Sequence, residues 1–375
     1  MPTAALGTSE DLLRELASWV ELETPTTDAA AVDRLMDRAA ASLAGTAAAL
    51  TWIPGRDGYG GHLLARLPGG NGAPILVLGH LDTVWSTGTL ASMPFRIEGD
   101  RAYGPGIYDM KASSLIALHA FRCFARQGVA AHRPITLLLT SDEEIGSPTS
   151  RALIEREAAA SAYALVLEPA AADGACVTAR KGVGRFHMQV EGKASHAGNA
   201  FLGGASAVVE LARQIVTVNE LVDAERGITL NVAPIRGGTR PNVIAAEAAC
   251  EIDLRVPDAE SGAVLERRLL ALSAQSPGCR VRVTGGMNRP PWAENAAGIA
   301  LYERARAIAT ALGFALPKQS RGGGSDANFT ATVGTPTLDG IGCPGHGAHA
   351  SDEHILWREL APRAALLARL LETLD

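Results

Sequence analysis

Long apolar runs are missing from this 375-residue sequence. Although 47% of its residues are hydrophobic, no uncharged stretch approaches the ~20 residues that a membrane-spanning helix requires. Residues 1–11 contain no basic segment followed by an apolar block, so no secretory leader is expected. Cysteine is scarce: Cys123, Cys176, Cys250, Cys279 and Cys343 are scattered, odd in number and form no Cys-x-x-Cys pair. That argues against a disulfide framework or a thiolate zinc site and for a reducing cytoplasm. Positive charge is not in excess either, since 34 Lys and Arg face 40 Asp and Glu for a net charge of −6. Neither nucleic acid nor an anionic membrane is therefore an expected partner. Phosphate loops are lacking too. Gly104-Pro-Gly106 is no dinucleotide fingerprint because Asp109 stands where the third glycine belongs. Gly323-Gly-Ser-Asp-Ala327 lacks the last glycine of a nucleophile elbow. What is plentiful is glycine and proline, 40 and 20 residues, which suits a loop-rich α/β enzyme of about two domains.

Residues 11–22 and 31–43 space their apolar side chains like helices. Residues 74–79, 135–140 and 163–167 are short continuous apolar runs, the mark of strands buried on both faces of a parallel sheet. Helical stretches at 111–127 and 150–160 lie between them, giving βαβ alternation. Residues 183–191 then alternate like a half-buried strand, 205–219 like a helix, 229–235 and 243–255 like strands, 259–274 like a helix and 280–284 like a strand. This β-α-β-β-α-β order is the ferredoxin-like pattern. Helix (296–312), strand (335–339) and a terminal helix (356–374) complete the chain. The expectation is an α/β protein in which a mostly parallel-sheet domain (1–180 and 288–375) carries an inserted ferredoxin-like domain (181–287).

Polar residues follow the last apolar residue of each buried strand, where open α/β sheets place their sites. His80 and Asp82, Asp109, Glu143 and Glu144, Glu168, and His349 would together gather two imidazoles and five carboxylates. So many carboxylates repel one another unless a cation joins them. Imidazole and carboxylate without thiolate suit zinc or a similar divalent ion. The donors are too many for one tetrahedral site and suit two ions sharing a carboxylate. Taken singly each residue is ordinary: a histidine after a strand is usually a loop residue, and Asp-Glu-Glu is usually a solvated turn or helix start. Recurrence at several strand ends is what argues for a metal site.

Gly79-His-Leu-Asp-Thr-Val84, Ala102-Tyr-Gly-Pro-Gly-Ile-Tyr-Asp-Met-Lys111 and Thr140-Ser-Asp-Glu-Glu144 resemble the metal motifs of one family. Gly192-Lys-Ala-Ser-His-Ala-Gly198, Asn242-Val-Ile244, Gly322-Gly-Gly-Ser-Asp326 and His349-Ala-Ser-Asp-Glu353 continue the resemblance in order along nearly the whole chain. The family is that of the dizinc glutamate carboxypeptidases, acetylornithine deacetylases, succinyl-diaminopimelate desuccinylases and aminoacylases; the first two motifs are most similar to the carboxypeptidase G type. The resemblance implies a homodimer with two Zn2+ per subunit, for which Co2+ or Mn2+ can substitute, and with the inserted domain as dimerisation and lid domain. It implies Asp109 as bridging carboxylate, His80 and Glu168 completing one zinc site, and Glu144 and His349 the other. His346 is the alternative to His349. Glu143 resembles the general base, and Asp82 the residue that holds the other nitrogen of His80 and fixes its tautomer.

The same resemblance implies that His196 reaches across a dimer to stabilise an oxyanion, with Asn242 as a second donor. Arg255 is similar to a carboxylate clamp, for which a guanidinium fork is suited, although pairing with Asp253 or Asp258 is the plainer reading. Gly324 and Ser325 lie in a loop whose backbone and hydroxyl would approach the same carboxylate, with Arg321 beside it. The expected activity is hydrolysis of an amide next to a free carboxylate, releasing a C-terminal amino acid such as glutamate from a peptide or N-acyl conjugate. Deacylation of an N-acyl amino acid is the alternative. A non-catalytic binding protein on the same scaffold would lack a base or ligand, and none is missing.

Overall fold

The computed structural model describes residues 6–127 and 131–375. The first five residues of the segment read as leaderless lie outside the described residues. The chain folds into two compact units, one formed by Met1–Ala179, Glu294–Ser320 and Ser325–Asp375, the other by Arg180–Ala293 and Arg321–Gly324.

The first unit is built on a six-stranded sheet in the order Ala49–Ile53, His62–Leu67, Ile135–Thr140, Ile75–His80, Tyr163–Val166, Thr337–Leu338. Ile75–His80 and Ile135–Thr140 are buried at every residue, as their uninterrupted apolar sequence demands. They pair in parallel with each other, and Ile75–His80 pairs in parallel with Tyr163–Val166. The outer strands His62–Leu67 and Ala49–Ile53 are antiparallel, so the sheet is mixed at that edge. Ala49–Ile53 is exposed at four of its five residues; without a core-facing stripe it leaves no periodic trace in the sequence.

Helix Ser9–Val20 starts at a capping box made by Thr8 and Asp11 and buries Leu12, Leu13, Leu16, Trp19 and Val20, an i, i+3/i+4, i+7 stripe. Helices Ala112–Gln127 and Leu360–Thr373 bring Phe121, Phe124, Leu367 and Leu371 into the same core. The terminal helix begins at Leu360 and not at 356, because Leu356 ends the strand His354–Leu356. That strand belongs to a second, four-stranded sheet with Gly345–His346, Arg101–Tyr103 and Arg96–Glu98.

Register fixes the position of the site. Leu78 lies beside Leu138 and Val166, and His80 beside Thr140. Residue 168 follows Val166 by the same two positions as His80 follows Leu78. Side chains alternate across a strand with a period of two, so both are carried to one end of the sheet.

The second unit is a four-stranded antiparallel sheet in the order Thr229–Gly237, Glu247–Val256, Gly182–Glu191, Arg280–Arg289. Helices Ala207–Asn219 and Ala259–Leu270 cover one face, and Phe186, Met188, Leu211, Ile252, Leu254 and Leu265 form the core. The element order is the β-α-β-β-α-β expected from the sequence. The third strand begins at Glu247, not at 243. Residues 242–246 instead bond to loops: Asn242 O accepts from Ala197 N at 3.0 Å, and Ile244 N donates to Ser195 O at 2.9 Å.

Within the first unit Arg122 clamps Glu15 with two bonds, Nη1 to Oε1 at 2.9 Å and Nη2 to Oε2 at 2.8 Å, tying helix Ala112–Gln127 to helix Ser9–Val20. Burial pushes the Glu15 carboxyl up, but the bonds to Arg122 and its charge outweigh burial and hold the group below its ordinary 4.5. A carboxylate depressed in the folded state contributes fully above its unfolded value and loses that contribution as pH falls through the folded one. Arg122→Ala is therefore expected to lower unfolding free energy by about 1–3 kcal/mol at neutral pH. The difference from the parent should shrink once Glu15 protonates in acid. Urea titrations at several pH values check both; a difference that grows on acidification contradicts the assignment.

Candidate metal centre

His80 ends a strand buried on both sides and is itself 1% exposed. Its Nδ1 lies 2.9 Å from the Asp82 carbonyl oxygen and 3.3 Å from the Asp82 carboxylate. Donation from Nδ1 leaves the Nε2 lone pair of the neutral ring facing outward from the strand end. Nε2 is 3.3 Å from Asp109 Oδ1 and 4.0 Å from Glu168 Oε1. The other oxygen of Asp109, Oδ2, is 3.5 Å from Nε2 of His349, which is also 3.1 Å from Glu144 Oε2. One carboxylate thus stands between two imidazoles that are 269 positions apart in sequence, each facing a different oxygen. His349 reaches this point from a backbone with φ +62°, at the tip of the hairpin formed by Gly345–His346 and His354–Leu356.

Two donor triads meet, His80 with Asp109 and Glu144, and His80 with Glu143 and Glu168; within each, one donor atom per residue lies within 4.8 Å of the others. The structure therefore brings His80, Asp109, Glu143, Glu144, Glu168 and His349 to one place. His346 is elsewhere: it is exposed and pairs across the hairpin with His354.

The electrostatics are those of crowded negative charge. Burial and the charge of Asp109 push the Glu144 carboxyl up to about 8. Burial, Asp109 and Glu143 push Glu168 well above the carboxylate range. Burial would lower His80, but Asp109 and Asp82 raise it well above the ordinary imidazole value; Asp109 and Glu144 raise His349 to about 10. Burial opposes ionisation of Asp109, yet the imidazoles of His349 and His80 beside it hold it well below the usual range. Two buried atoms in the middle, His80 Nε2 and Glu144 Oε1, have no hydrogen-bond partner. Such orphans are costly, and both are atoms that coordinate a divalent cation. Excess carboxylate, imidazoles set among it and two buried ligand-type atoms without a hydrogen-bond partner together fit a metal ion.

Asp82 organises the site from beneath. It is fully buried; Thr26 Oγ1 donates to its Oδ2 at 2.7 Å, and the backbone amides of Glu143 and Glu144 donate to Oδ1 and Oδ2 at 3.2 Å each. Asp82 meets Nδ1 of His80 most closely through its carbonyl oxygen, and its carboxylate also anchors the turn that carries Glu143 and Glu144. Asp142 holds the other end of that turn, accepting from the amides and hydroxyls of Thr149 and Ser150.

Sequence reasoning missed Thr26 and Glu353. Nothing in Leu22-Glu-Thr-Pro-Thr26 marks Thr26. Glu353 closes the motif that begins at His349, and its carboxylate accepts the amides of Gly106, Tyr108 and Asp109.

The remaining candidates, apart from Ser325, belong to the second unit. His196 is exposed, and its Nδ1 accepts from the amides of Gly198 and Asn199 at 3.1 and 3.0 Å, which assigns the ring proton to Nε2. A β-bridge from His196 to Val243 sets Asn242 beside that loop. Arg255 forks onto Asp253 through Nε at 2.6 Å and Nη2 at 2.9 Å, while Nη1 reaches the Gly322 carbonyl at 3.5 Å. The plainer pairing is thus present. Gly324 packs so closely that an added Cβ would meet Arg289 Cδ at 2.5 Å. The Ser325 hydroxyl corrects one expectation. It is fully buried and donates to Asp339 at 2.8 Å while accepting from Ala327 N, so it pins the end of the glycine loop and is not turned toward a ligand.

Residues 76–373 match the model of Peptidase family M20/M25/M40. Carboxypeptidase G2 of a Pseudomonas species is 33% identical over 316 residues, 83% of this chain and 76% of that protein. Succinyl-diaminopimelate desuccinylase of Xanthomonas campestris pv. campestris is 31% identical over 331 residues, 81% of this chain and 85% of its own. Among solved structures, aminopeptidase PepT of Bacillus cereus superposes with a TM-score of 0.76 at 22% identity, covering 98% of this chain and 99% of that one. The M20 family metallo-carboxypeptidase Sso-CP2 of Sulfolobus solfataricus gives 0.75 at 16% identity, covering 96% and 99%. Both share the fold.

Asp82→Asn is expected to weaken divalent-ion affinity by about 10–100-fold, because an amide nitrogen cannot accept from Glu143 N or Glu144 N. Competition with a chromogenic chelator measures this; affinity within about twofold of the parent would remove Asp82 from its anchoring role.

Proposed function

The chain belongs to Peptidase family M20/M25/M40, and from that premise we propose that it hydrolyses an amide bond adjacent to a free carboxylate, using two zinc ions. The product is a C-terminal amino acid of the glutamate type, released from a peptide or N-acyl conjugate. The observation that carries the reading is the Asp109 carboxylate standing between Nε2 of His80 and Nε2 of His349, the arrangement a bridging ligand needs. His80, Glu168 and Asp109 would hold one ion, and Asp109, Glu144 and His349 the other. When bound, such a pair polarises the scissile carbonyl and acidifies water. Donors of nitrogen and oxygen without thiolate favour zinc, with Co2+ or Mn2+ as substitutes.

The protein's own groups then divide the work. Glu143 takes a proton from the attacking water and delivers it to the leaving amine. Its anchored amide supports that role, since a base must be held within hydrogen-bond reach of its proton. His196 of the partner subunit donates from Nε2 to the oxyanion; its Nδ1, engaged by two amides, keeps the proton on the far nitrogen. Asn242 is the second donor. Arg255 anchors the substrate carboxylate, with Nη1 the one nitrogen not bonded to Asp253, and the backbone at Gly324 approaches the same group.

We also propose a cytoplasmic homodimer formed through the second unit, whose residues include the half-exposed Val209 and Val216 of helix Ala207–Asn219 and Ile235 of the outer strand. The five cysteines are all free, in keeping with a reducing compartment. Among the described residues no helix is long and apolar enough to cross a membrane. The 31% identity to a desuccinylase supports a second reading, removal of an acyl group from an N-acyl amino acid by the same chemistry.

A panel of N-acyl amino acids and folate-type conjugates, run with zinc-loaded protein with and without chelator, separates the two readings and tests both. Glu143→Gln should retain its zinc and lose turnover by about 10²–10⁴-fold; retained zinc with turnover within about tenfold of the parent would disqualify Glu143 as the base. His196→Ala should lower kcat by about 10²–10³-fold with unchanged zinc content.

A further inference from the structure

Asp109 does not lie on a regular strand. It sits in the irregular turn Ile107–Lys111, and a bridging carboxylate on an irregular turn needs its backbone held from elsewhere. The holder is Glu353, which is fully buried. Its Oε1 accepts from Tyr108 N at 2.8 Å and Asp109 N at 3.0 Å; its Oε2 accepts from Gly106 N at 2.9 Å and from the Trp85 indole Nε1 at 2.6 Å. Four donors converge on two oxygens, and only an acceptor-only group satisfies them all.

Glu353 lies on the hairpin that carries His349. That hairpin's return strand also pairs with the segment leading to Asp109, His354 opposite Tyr103 and Ile355 opposite Ala102. Gly347 tightens the turn: at φ +82° an added Cβ would lie 3.0 Å from Glu353 Cα and N. The segment bearing Asp109 and the hairpin bearing His349 are thereby joined twice, by the strand ladder and by the Glu353 carboxylate. The ladder fixes the two backbones near residue 103. Glu353 carries that alignment through the irregular turn to Asp109 itself.

We propose that Glu353 is a positioning residue for the two-ion site, holding Asp109 in register with His349 by gathering the amides of Gly106, Tyr108 and Asp109. The proposal rests on the two-ion reading above. Its consequence is selective. The ion shared by Asp109, Glu144 and His349 depends on both segments that Glu353 joins, whereas His80 ends one strand of the central sheet and Glu168 follows another by two residues. Glu353→Gln places an amide NH2 against two of the four donors and so breaks one pair of bonds whichever way it turns.

Zinc binding by calorimetry on the metal-stripped full chain is the first measurement. The parent should take two equivalents, and Glu353→Gln should hold one normally and bind the second about 10–100-fold more weakly. The Trp85 indole ¹⁵N–¹H resonance, assigned with Trp85→Phe, should shift in the variant. Amide exchange at Gly106, Tyr108 and Asp109 should be slow in the parent and faster in the variant. At saturating zinc kcat should fall while KM stays within about threefold, because substrate anchoring lies with other groups. If Glu353→Gln does not fold, Glu353→Asp, one methylene short but still acceptor-only, is expected to show the same selective loss of the second ion.

Two equivalents in parent and variant with affinities within about twofold, and unchanged exchange at the three amides, would overturn the positioning role and leave the two-ion reading standing. A parent that binds fewer than two ions would overturn both.

Discussion

The site depends on one constraint: buried carboxylates of like charge repel, and each must be neutralised or satisfied by donors. Asp109, Glu143, Glu144 and Glu168 crowd one end of the central sheet with His80 and His349. The raised values of Glu144 and Glu168 and of both imidazoles are two expressions of the same repulsion. Removing a charge by protonating a carboxylate and adding one by protonating an imidazole both relieve it. Divalent cations relieve it more completely, because each interacts with several carboxylates at once. The rest of the first unit keeps these groups together against that repulsion, and this is why the supporting strands are buried on both faces and why the turns are fastened by several bonds each.

Much of this was legible in the sequence, for a physical reason. A strand buried on both faces is a continuous apolar run, and the first polar residue after it must emerge at the sheet end. Ile75–His80, Ile135–Thr140 and Tyr163–Val166 announce themselves in that way, and with them His80, Glu143, Glu144 and Glu168. The ferredoxin-like order of the second unit was equally plain, since Gly182–Glu191 and Glu247–Val256 alternate between core and exposed face along most of their length. Strands Ala49–Ile53 and Arg96–Glu98 were not legible. They are defined by ladder bonds at sheet edges, and little of their surface is buried. Asp109 and His349, grouped in the sequence with the residues that follow buried strands, lie instead on turns with no periodicity, and only the family resemblance gave them their separate roles.

Side chains posed a harder problem than backbone. Sequence reasoning offered Arg255 as a carboxylate clamp, with Asp253 or Asp258 as its plainer partner, and Ser325 as a group turned toward a substrate; Asp253 takes two nitrogens of the arginine and Asp339 takes the hydroxyl of the serine. Residue type predicts what a group can bond, and the nearest complementary partner decides what it does bond. Asp253 lies two residues from Arg255 on one strand and could be named from the sequence, whereas Asp339 lies 14 positions from Ser325 and could not. His196 is the opposite case: its local loop supplies amides to Nδ1, and those bonds place the ring proton on Nε2.

The acidic residues around the centre therefore fall into two sets that sequence alone does not separate. Asp82, Asp142 and Glu353 face backbone amides and hydroxyls, and their lone pairs are spent on N–H and O–H donors of the turns they hold. Asp109, Glu144 and Glu168 meet imidazoles and one another, with few donors to satisfy them. The first set makes the second tolerable. Every carboxylate that faces the centre is adjacent in sequence, or nearly so, to a point where a buried acceptor fixes the main chain: Asp82 at Glu143 and Glu144, Glu353 at Asp109. Leu78 O does the same within the central sheet, accepting from Leu167 N next to Glu168. Charge repulsion at the centre is resisted by backbone bonds at, or one residue from, the carboxylates that face it. A scaffold arranged in this way keeps its ligands near their positions before a cation arrives, and the cost of ordering them falls on folding, not on binding.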